Sequence, residues 1–269
     1  MKVHRANRRE TALITGASSG IGEALARCFA RGRCDLVLVA RRASKLKALA
    51  RTLENDHRVR VRVAAADLSR PTSATVLAAS LRRQRVRVDI LVNNAGIVEV
   101  GRFSRMTAAR SQALIALNVA ATTALLSSFL PPMVRRRRGR VLNVCSLAAF
   151  LPVPTMATYA ATKAYLLSLS ESLAEELFGS GVTVTALCPG VTETPMKAAI
   201  ERAHPRLPRL PRLAISDAGT VAAEGYQACM GGEVVRVPGL VNEVTALSGR
   251  ALPRWLVRRV AGVVGRRAT

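Results

Sequence analysis

The chain is short of several things, and each shortage narrows what it can be. Aromatic residues make up 3% of its 269 positions, too few for the stacking platforms that hold single-stranded nucleic acid. Its five cysteines, at 28, 34, 145, 188 and 229, include no CxxC pair and are odd in number. That argues against a disulfide framework or a zinc site and fits a reducing, cytoplasmic setting. The basic start MKVHRANRRE is followed by the short run TALIT and then glycines, which is not the apolar core of a secretory signal. Nor is there a stretch of about 18 uninterrupted apolar residues that would span a bilayer. The most apolar window, ALIALNVAATTALLSSFLPP, is broken by Asn118 and reads as a buried helix ended by Pro131 and Pro132. Acids are scarce as well, 17 against 41 Lys plus Arg, for a net charge of +24. Such a charge attracts anionic partners. Because the basic residues run from Arg5 to Arg267 without clustering, no specific nucleic-acid site is expected. Lysine is rare within that basic set, only five residues, so where a lysine stands matters.

What is present is a regular alternation of strand and helix patterns. TALIT (11–15), DLVLVA (35–40), VRVRVAAAD (59–67), VDILVNNAG (88–96), GRVLNVCS (139–146) and VTVTALCPG (182–190) read as strands. Helices are expected over 20–31, 42–55, after Pro71 at the N1 position, over roughly 107–130, over 157–178 and near 216–230. EVVRVPG (233–239) is a candidate seventh strand. Repeated β-α-β units with apolar strands imply an α/β fold: one Rossmann-like, doubly wound domain with a parallel sheet of about seven strands and helices on both faces. This domain is expected to fill residues 1–250, with a variable loop at about 191–215 that carries the Pro-Arg-Leu repeat HPRLPRLPRL (204–213). A basic, apolar extension would follow at 251–269.

The first strand runs into TGASSGIG, with Gly16, Gly20 and Gly22 in a GxxxGxG spacing. Glycines at a strand-to-helix turn let the backbone approach a pyrophosphate, and the helix N-terminus offers it free N–H groups. Dinucleotide folds that accept a free ribose 2′-hydroxyl carry an acid about 20 residues on. Here Arg41 and Arg42 end the second strand instead. A guanidinium pairs with a 2′-phosphate that an acid would repel, so NADP(H) is expected over NAD(H).

TYAATK puts Tyr159 and Lys163 one helical turn apart on the same face. A free phenol is a poor proton donor near neutral pH, and a neighbouring ammonium favours the phenolate. The pair is therefore suited to general acid–base work on a carbonyl. Tyr165 lacks such a partner, having Leu169 at i+4. Ser146 closes the fifth strand, NNAG (93–96) the fourth, and Asn118 interrupts an apolar helix. All stand where the carboxyl ends of parallel strands build sites.

TGASSGIG, ADL (66–68), NNAG, LNV, CS (145–146), YAATK and CPGVTETPM (188–196), in that order over residues 11 to about 196, give a chain that resembles the short-chain dehydrogenase/reductase family. The resemblance implies that Tyr159 is the catalytic acid/base and that Lys163 supports it and bonds the nicotinamide ribose. Ser146 would hold the carbonyl oxygen, and Asn118 would fix a water in a proton relay. Gly16, Ser18, Ser19, Gly20 and Ile21 would line the cofactor turn, with Asp67, Leu68, Asn94, Ala95 and Gly96 along the adenosine and ring. Pro189, Gly190 and Thr192 would close over the nicotinamide. It also implies a homodimer or homotetramer. The activity implied is interconversion of a carbonyl and a secondary alcohol, the alternative being a non-catalytic NADPH-binding or membrane-associated protein that keeps the fold. Leu147, Phe150, Val153 and Met156 suggest an apolar or acyl-linked substrate, such as a 3-oxoacyl thioester or a steroid-like ketone. The tail LPRWLVRRVAGVVGRR (252–267) mixes apolar residues with arginines, a pattern suited to peripheral contact with an anionic membrane.

Overall fold

The computed structural model describes residues 8–205, 211 and 214–266, the last four through their backbone. Most of the Pro-Arg-Leu repeat (206–210, 212, 213) lies outside the described residues. Six strands and the helices between them follow in the expected order: β1 (Thr11–Thr15), α1 (Gly20–Arg31), β2 (Asp35–Ala40), α2 (Ala43–His57), β3 (Val61–Ala65) and α3 (Ser73–Arg83). β4 (Ile90–Asn93), α4 (Ala108–Ile115), a π-helical turn (Ala116–Ala121), α5 (Thr122–Arg135), β5 (Gly139–Val144), α6 (Ala157–Glu176) and β6 (Val182–Leu187) complete the series. Then come β7 (Thr192–Glu193), α7 (Pro195–Ala203), β8 (Ser216–Asp217), α8 (Ala218–Gly231), β9 (Val235–Arg236), α9 (Leu240–Ala251) and α10 (Arg254–Arg266).

The main sheet has seven strands in the order β3-β2-β1-β4-β5-β6-β9, every described pairing parallel. This is the doubly wound Rossmann-like arrangement, and its chain reversal beside β1 opens a crevice at the carboxyl edge. Strands buried on both faces read as continuous apolar runs. In β1, Ile14 joins Leu25, Phe29, Leu38 and Leu46 on one face, while Leu13 joins Leu77, Leu91, Leu125 and Phe129 on the other. Phe29 closes the first layer edge-on against Tyr226 of α8, ring centroids 5.0 Å apart.

Four expectations change. α3 begins at Ser73 with Thr72 as its N-cap, so Pro71 sits in the preceding turn and not at N1. α5 runs through Pro131 and Pro132 to Arg135. A proline removes the N–H that would bond four residues back, but here the loss falls in the last turn, and Phe129 and Met133 still anchor the helix in the core. The span Ala108–Arg135 has the length and mean hydropathy (1.8) of a membrane-crossing helix; it packs along the sheet through Leu114, Leu125, Leu126, Phe129 and Met133. α7 and α9 were not foreseen. α9 lies against the domain: Gly249 packs on Phe150 and Leu151, and Arg250 pairs with Glu171 of α6. Residues 240–251 thus form one helix of the body of the fold.

Candidate active site

The turn after β1 is built around one asparagine. Gly16 and Gly20 adopt φ of 67° and 59°, the left-handed region that a side chain disfavours. A Cβ on Gly22 would fall 2.3 Å from Asn94 Nδ2 and 2.5 Å from the Gly16 carbonyl oxygen, and one on Gly16 2.7 Å from the same Nδ2. Asn94 Nδ2 donates to the carbonyls of Thr15 (2.9 Å) and Gly16 (3.4 Å). Thr15 Oγ1 accepts from the backbone N–H groups of Asn94 and Ala95, both at 3.0 Å. Asn94, expected along the adenosine, therefore commits its carboxamide to shaping the turn. Ser19, the N-cap of α1, makes no side-chain bond to the first-turn amides, which stay free to face an anion. Ile21 packs down onto the core.

Arg42 reaches back across this turn. Its Nη2 donates to Ser18 Oγ and to Ser19 Oγ, both at 3.0 Å, and it makes no ion pair with an acid among the described residues. A guanidinium held by two hydroxyls beside a helix N-terminus is an open phosphate ligand. The site thus fits a 2′-phosphorylated dinucleotide. Asp67 accepts from the Ser69 hydroxyl (2.7 Å) and amide (3.1 Å). These bonds, with the Arg41 guanidinium nearby, hold its carboxyl below the usual carboxylate range. Leu68 is buried beneath it.

At the carboxyl ends of β4 and β5 a second corner forms. Lys163, only 6% exposed, donates from Nζ to the Val144 carbonyl at 2.8 Å. The same Nζ stands 5.8 Å from the Tyr159 ring centroid, as the i, i+4 spacing on α6 requires. A Cβ on Gly96 would lie 3.2 Å from Asn118 Oδ1 and 3.7 Å from Lys163 Nζ, so the glycine keeps this corner open. Asn118 lies in the π-helical turn, a distortion often found at functional sites. Its carboxamide accepts from the Ile97 amide (3.0 Å) and donates to the Ile97 carbonyl (3.0 Å) and to Thr162 Oγ1 (3.1 Å). Thr162 Oγ1 in turn donates to the Tyr159 carbonyl at 2.7 Å. The loop after β4, the π turn and the Tyr159 turn of α6 are tied into one unit. Thr162 was missed in the sequence because it hides within YAATK as an ordinary helix residue. Tyr165 is elsewhere, its hydroxyl 2.9 Å from Thr123 Oγ1.

Ser146 lies two residues beyond β5 and its Oγ accepts from the Ala148 amide at 3.1 Å. The next amide, Leu147, donates to the Pro189 carbonyl at 2.8 Å, which ties the Ser146 turn to the one following β6. In that turn Thr192 Oγ1 donates to the Gly190 carbonyl at 3.1 Å. Asn242 of α9 presses on Gly190, where a Cβ would fall 2.4 Å from its Oδ1. A cationic side chain, Arg250, covers the Phe150 ring at 5.0 Å. Beneath the site the Cys145 and Cys188 thiols are adjacent and buried; bonding to Cys145 and burial push the Cys188 thiol well up, leaving it protonated and unreactive.

The profile of the family described as short chain dehydrogenase matches residues 10–205. Nodulation protein G of Rhizobium sp. (strain N33) is 34% identical over 236 residues, 85% of this chain and 95% of that protein. Among solved structures, a short-chain dehydrogenase from Sphingobium yanoikuyae in complex with NADPH is 37% identical, with a TM-score of 0.79 over 90% of this chain and 93% of that one. The bulky-bulky ketone specific alcohol dehydrogenase from Comamonas testosteroni is 30% identical, with a TM-score of 0.76 over 91% and 95%. The match over residues 10–205, together with these relatives, shows that the chain belongs to the short chain dehydrogenase family of oxidoreductases.

Proposed function

We propose that this protein is an NADPH-dependent oxidoreductase that interconverts a carbonyl and a secondary alcohol. The observation that carries the reading is the Lys163 ammonium, held by the Val144 carbonyl and facing the Tyr159 ring in the corner left open by Gly96. When bound, NADPH supplies the hydride. Tyr159 gives its phenolic proton to the carbonyl oxygen, which ends as the alcohol hydroxyl, and in the reverse direction the phenolate takes that proton back. Lys163 stabilises the phenolate left behind. Ser146 donates a hydrogen bond to the same oxygen and orients it. Asn118 acts by position, holding Ile97 and the Tyr159 turn through Thr162. The first-turn amides of α1 receive the pyrophosphate, Arg42 with Ser18 and Ser19 the 2′-phosphate, and Asp67 the adenine.

The substrate side is apolar. Leu147, Phe150, Val153 and Met156 are half-buried at the carboxyl edge, which suits a bulky ketone or an acyl-linked carbonyl. Replacing Tyr159 with Phe keeps the ring and removes the proton. Turnover of a ketone panel by NADPH oxidation should vanish while NADPH binding, followed by fluorescence, stays within about threefold; a Y159F protein that still turns over sinks the mechanism.

We further propose that the α9–α10 end rests on an anionic membrane. Leu240, Val244 and Leu247 form an exposed apolar stripe on α9, continued by Trp255 and Val260 on α10, with Arg254, Arg258 and Arg259 alongside. Flotation with anionic liposomes should carry the full chain but not a chain ended at 250; equal partitioning of the two removes this contact.

A further inference from the structure

In a doubly wound parallel sheet every helix-to-strand connection arrives at the amino edge, opposite the cleft. This fold thereby gathers arginines that are scattered in the sequence. β2 is entered past Arg31 and Arg33, β3 past Arg58 and Arg60, and β1 past Arg8 and Arg9. β4 follows Arg82, Arg83, Arg85 and Arg87, and β5 follows the run Arg135 to Arg138. The connections touch one another. Arg9 Nη1 donates to the Arg58 carbonyl at 2.5 Å, Arg8 pairs with Asp89, Arg136 bonds the Val88 carbonyl, and Arg138 and Arg140 pair with Glu10. The result is an unbroken band across five neighbouring strands, roughly 20 Å long at about 4.8 Å per strand. Three acids within it are already held, Asp89 by Arg8, Arg87 and Arg136, Glu10 by Arg138 and Arg140, and Asp35 by Arg60, while Asp56 at the end of α2 has no ion pair among the described residues. Arg31, Arg33, Arg58, Arg82, Arg83 and Arg85 remain exposed and have no ion pair among the described residues, as do Arg135 and Arg137. Between the ends of α1 and α2, Arg9, Arg31, Arg33 and Arg58 line a cavity of about 440 Å³ together with Asp56 and His57.

A general excess of arginine would load both edges alike. The strand-to-helix connections after β1 to β5 hold only Arg41, Arg42, Arg70, Arg102 and Arg105. The backbone points the same way. Arg33, Arg58, Arg85 and Arg137, just after α1, α2, α3 and α5, have φ of 60°, 54°, 56° and 52°. Left-handed residues at helix ends are usually glycine, and another side chain there costs about 1 kcal/mol. Where the band stops, after α6 and α8, the left-handed residues are Gly179 and Gly232. Among the described residues, arginine thus stands in strained positions only within the band.

We propose that this band binds the sugar–phosphate backbone of double-stranded nucleic acid, without reading sequence and with the catalytic edge left free. A duplex presents a charge about every 1.7 Å of its axis, and guanidinium forks pair with phosphates. The five connections of the band expose no large apolar side chain that could enter a bilayer; Phe178, 90% exposed, stands in the next connection, after α6, beyond the band. The charge is spread along the chain yet these arginines gather at one edge in space.

The test is fluorescence anisotropy of a labelled DNA duplex of about 20 base pairs with the full chain over a salt series. It compares wild type with Arg33→Gly/Arg58→Gly/Arg85→Gly/Arg137→Gly, which removes four charges and relieves four left-handed side chains, so folding is preserved. The slope of log K against log salt should shrink by about 3 to 4, since each lost phosphate contact removes about 0.9. Affinity at about 100 mM salt should fall at least tenfold, with the melting temperature unchanged or raised and NADPH affinity unchanged. A control, Arg254→Gln/Arg258→Gln/Arg259→Gln on α10, should bind the duplex as wild type does. An unchanged slope in the glycine variant, loss of binding in the α10 control instead, or displacement of the duplex by polyglutamate at equal charge would each overturn the proposal.

Discussion

Replacing Thr162 by valine removes one buried hydroxyl and almost no volume. Thr162 is 3% exposed, and its Oγ1 accepts from Asn118 Nδ2 at 3.1 Å and donates to the Tyr159 carbonyl at 2.7 Å. Valine breaks both bonds. Asn118 Nδ2 keeps the Ile97 carbonyl as a partner, so its desolvation is only partly uncompensated. Two hydrogen bonds at about 1 kcal/mol each, with a partly orphaned donor, give a loss of about 2 to 3 kcal/mol in stability. The larger consequence is positional, because the turn that carries Tyr159 loses its tie to Asn118 and, through it, to the loop after β4. Misplacement of an acid/base by about 1 Å costs up to about 100-fold in rate. For T162V the expectation is therefore kcat lowered by about 10- to 100-fold with KM little changed, measured by NADPH oxidation well below the melting transition. T162S keeps the hydroxyl and should restore most of the rate. If T162V turns over like wild type, or T162S is as slow as T162V, the tie does not position Tyr159 and the reasoning is wrong.

Gly22→Ala should prevent NADPH binding and lower stability by about 2 kcal/mol or more, because its Cβ would meet Asn94 Nδ2 at 2.3 Å and the Gly16 carbonyl at 2.5 Å; calorimetric titration reads the first and thermal melts the second. Arg42→Asp removes a charge-assisted phosphate bond of about 1.5 to 3 kcal/mol and adds a repulsion, so the ratio of NADPH to NADH affinity should fall by at least about tenfold, whereas an unchanged ratio would move the 2′-phosphate site elsewhere. The Asp67 carboxyl lies below its ordinary value of 3.8, so what its charge contributes is complete above that pH and is lost only as pH falls through the lower folded value. Ser69→Ala removes the leading cause and should raise the Asp67 midpoint in a carboxyl NMR titration.

Much of the fold was readable locally. A buried parallel strand needs a short continuous apolar run, and DLVLVA or VLNV cannot easily be anything else. The glycine turn and the Tyr159–Lys163 spacing were legible for the same reason, since both are contained within one turn of chain. The misjudged boundaries show where local rules yield. Pro71 was given to α3 although Thr72 caps it, and Pro131 and Pro132 were read as a stop although burial of Phe129 and Met133 carries α5 past them. α9 went unseen because Leu240, Val244 and Leu247 face outward, so its pattern does not mark a core-facing helix.

By itself the sequence determined the order of strands and helices through β6, the glycine turn, the spacing of Tyr159 and Lys163 and the arginines in place of an acid after β2. Only the tertiary structure decided that Asn94 clamps the glycines, that Thr162 links Asn118 to Tyr159, and that arginines up to 130 positions apart in sequence share one edge. The physical reason is range. Periodicity and turn chemistry act over a few residues, whereas hydrogen bonds such as Asn118 to Ile97 and ion pairs such as Arg138 to Glu10 exist only once parallel strands bring distant connections to the same side of the sheet.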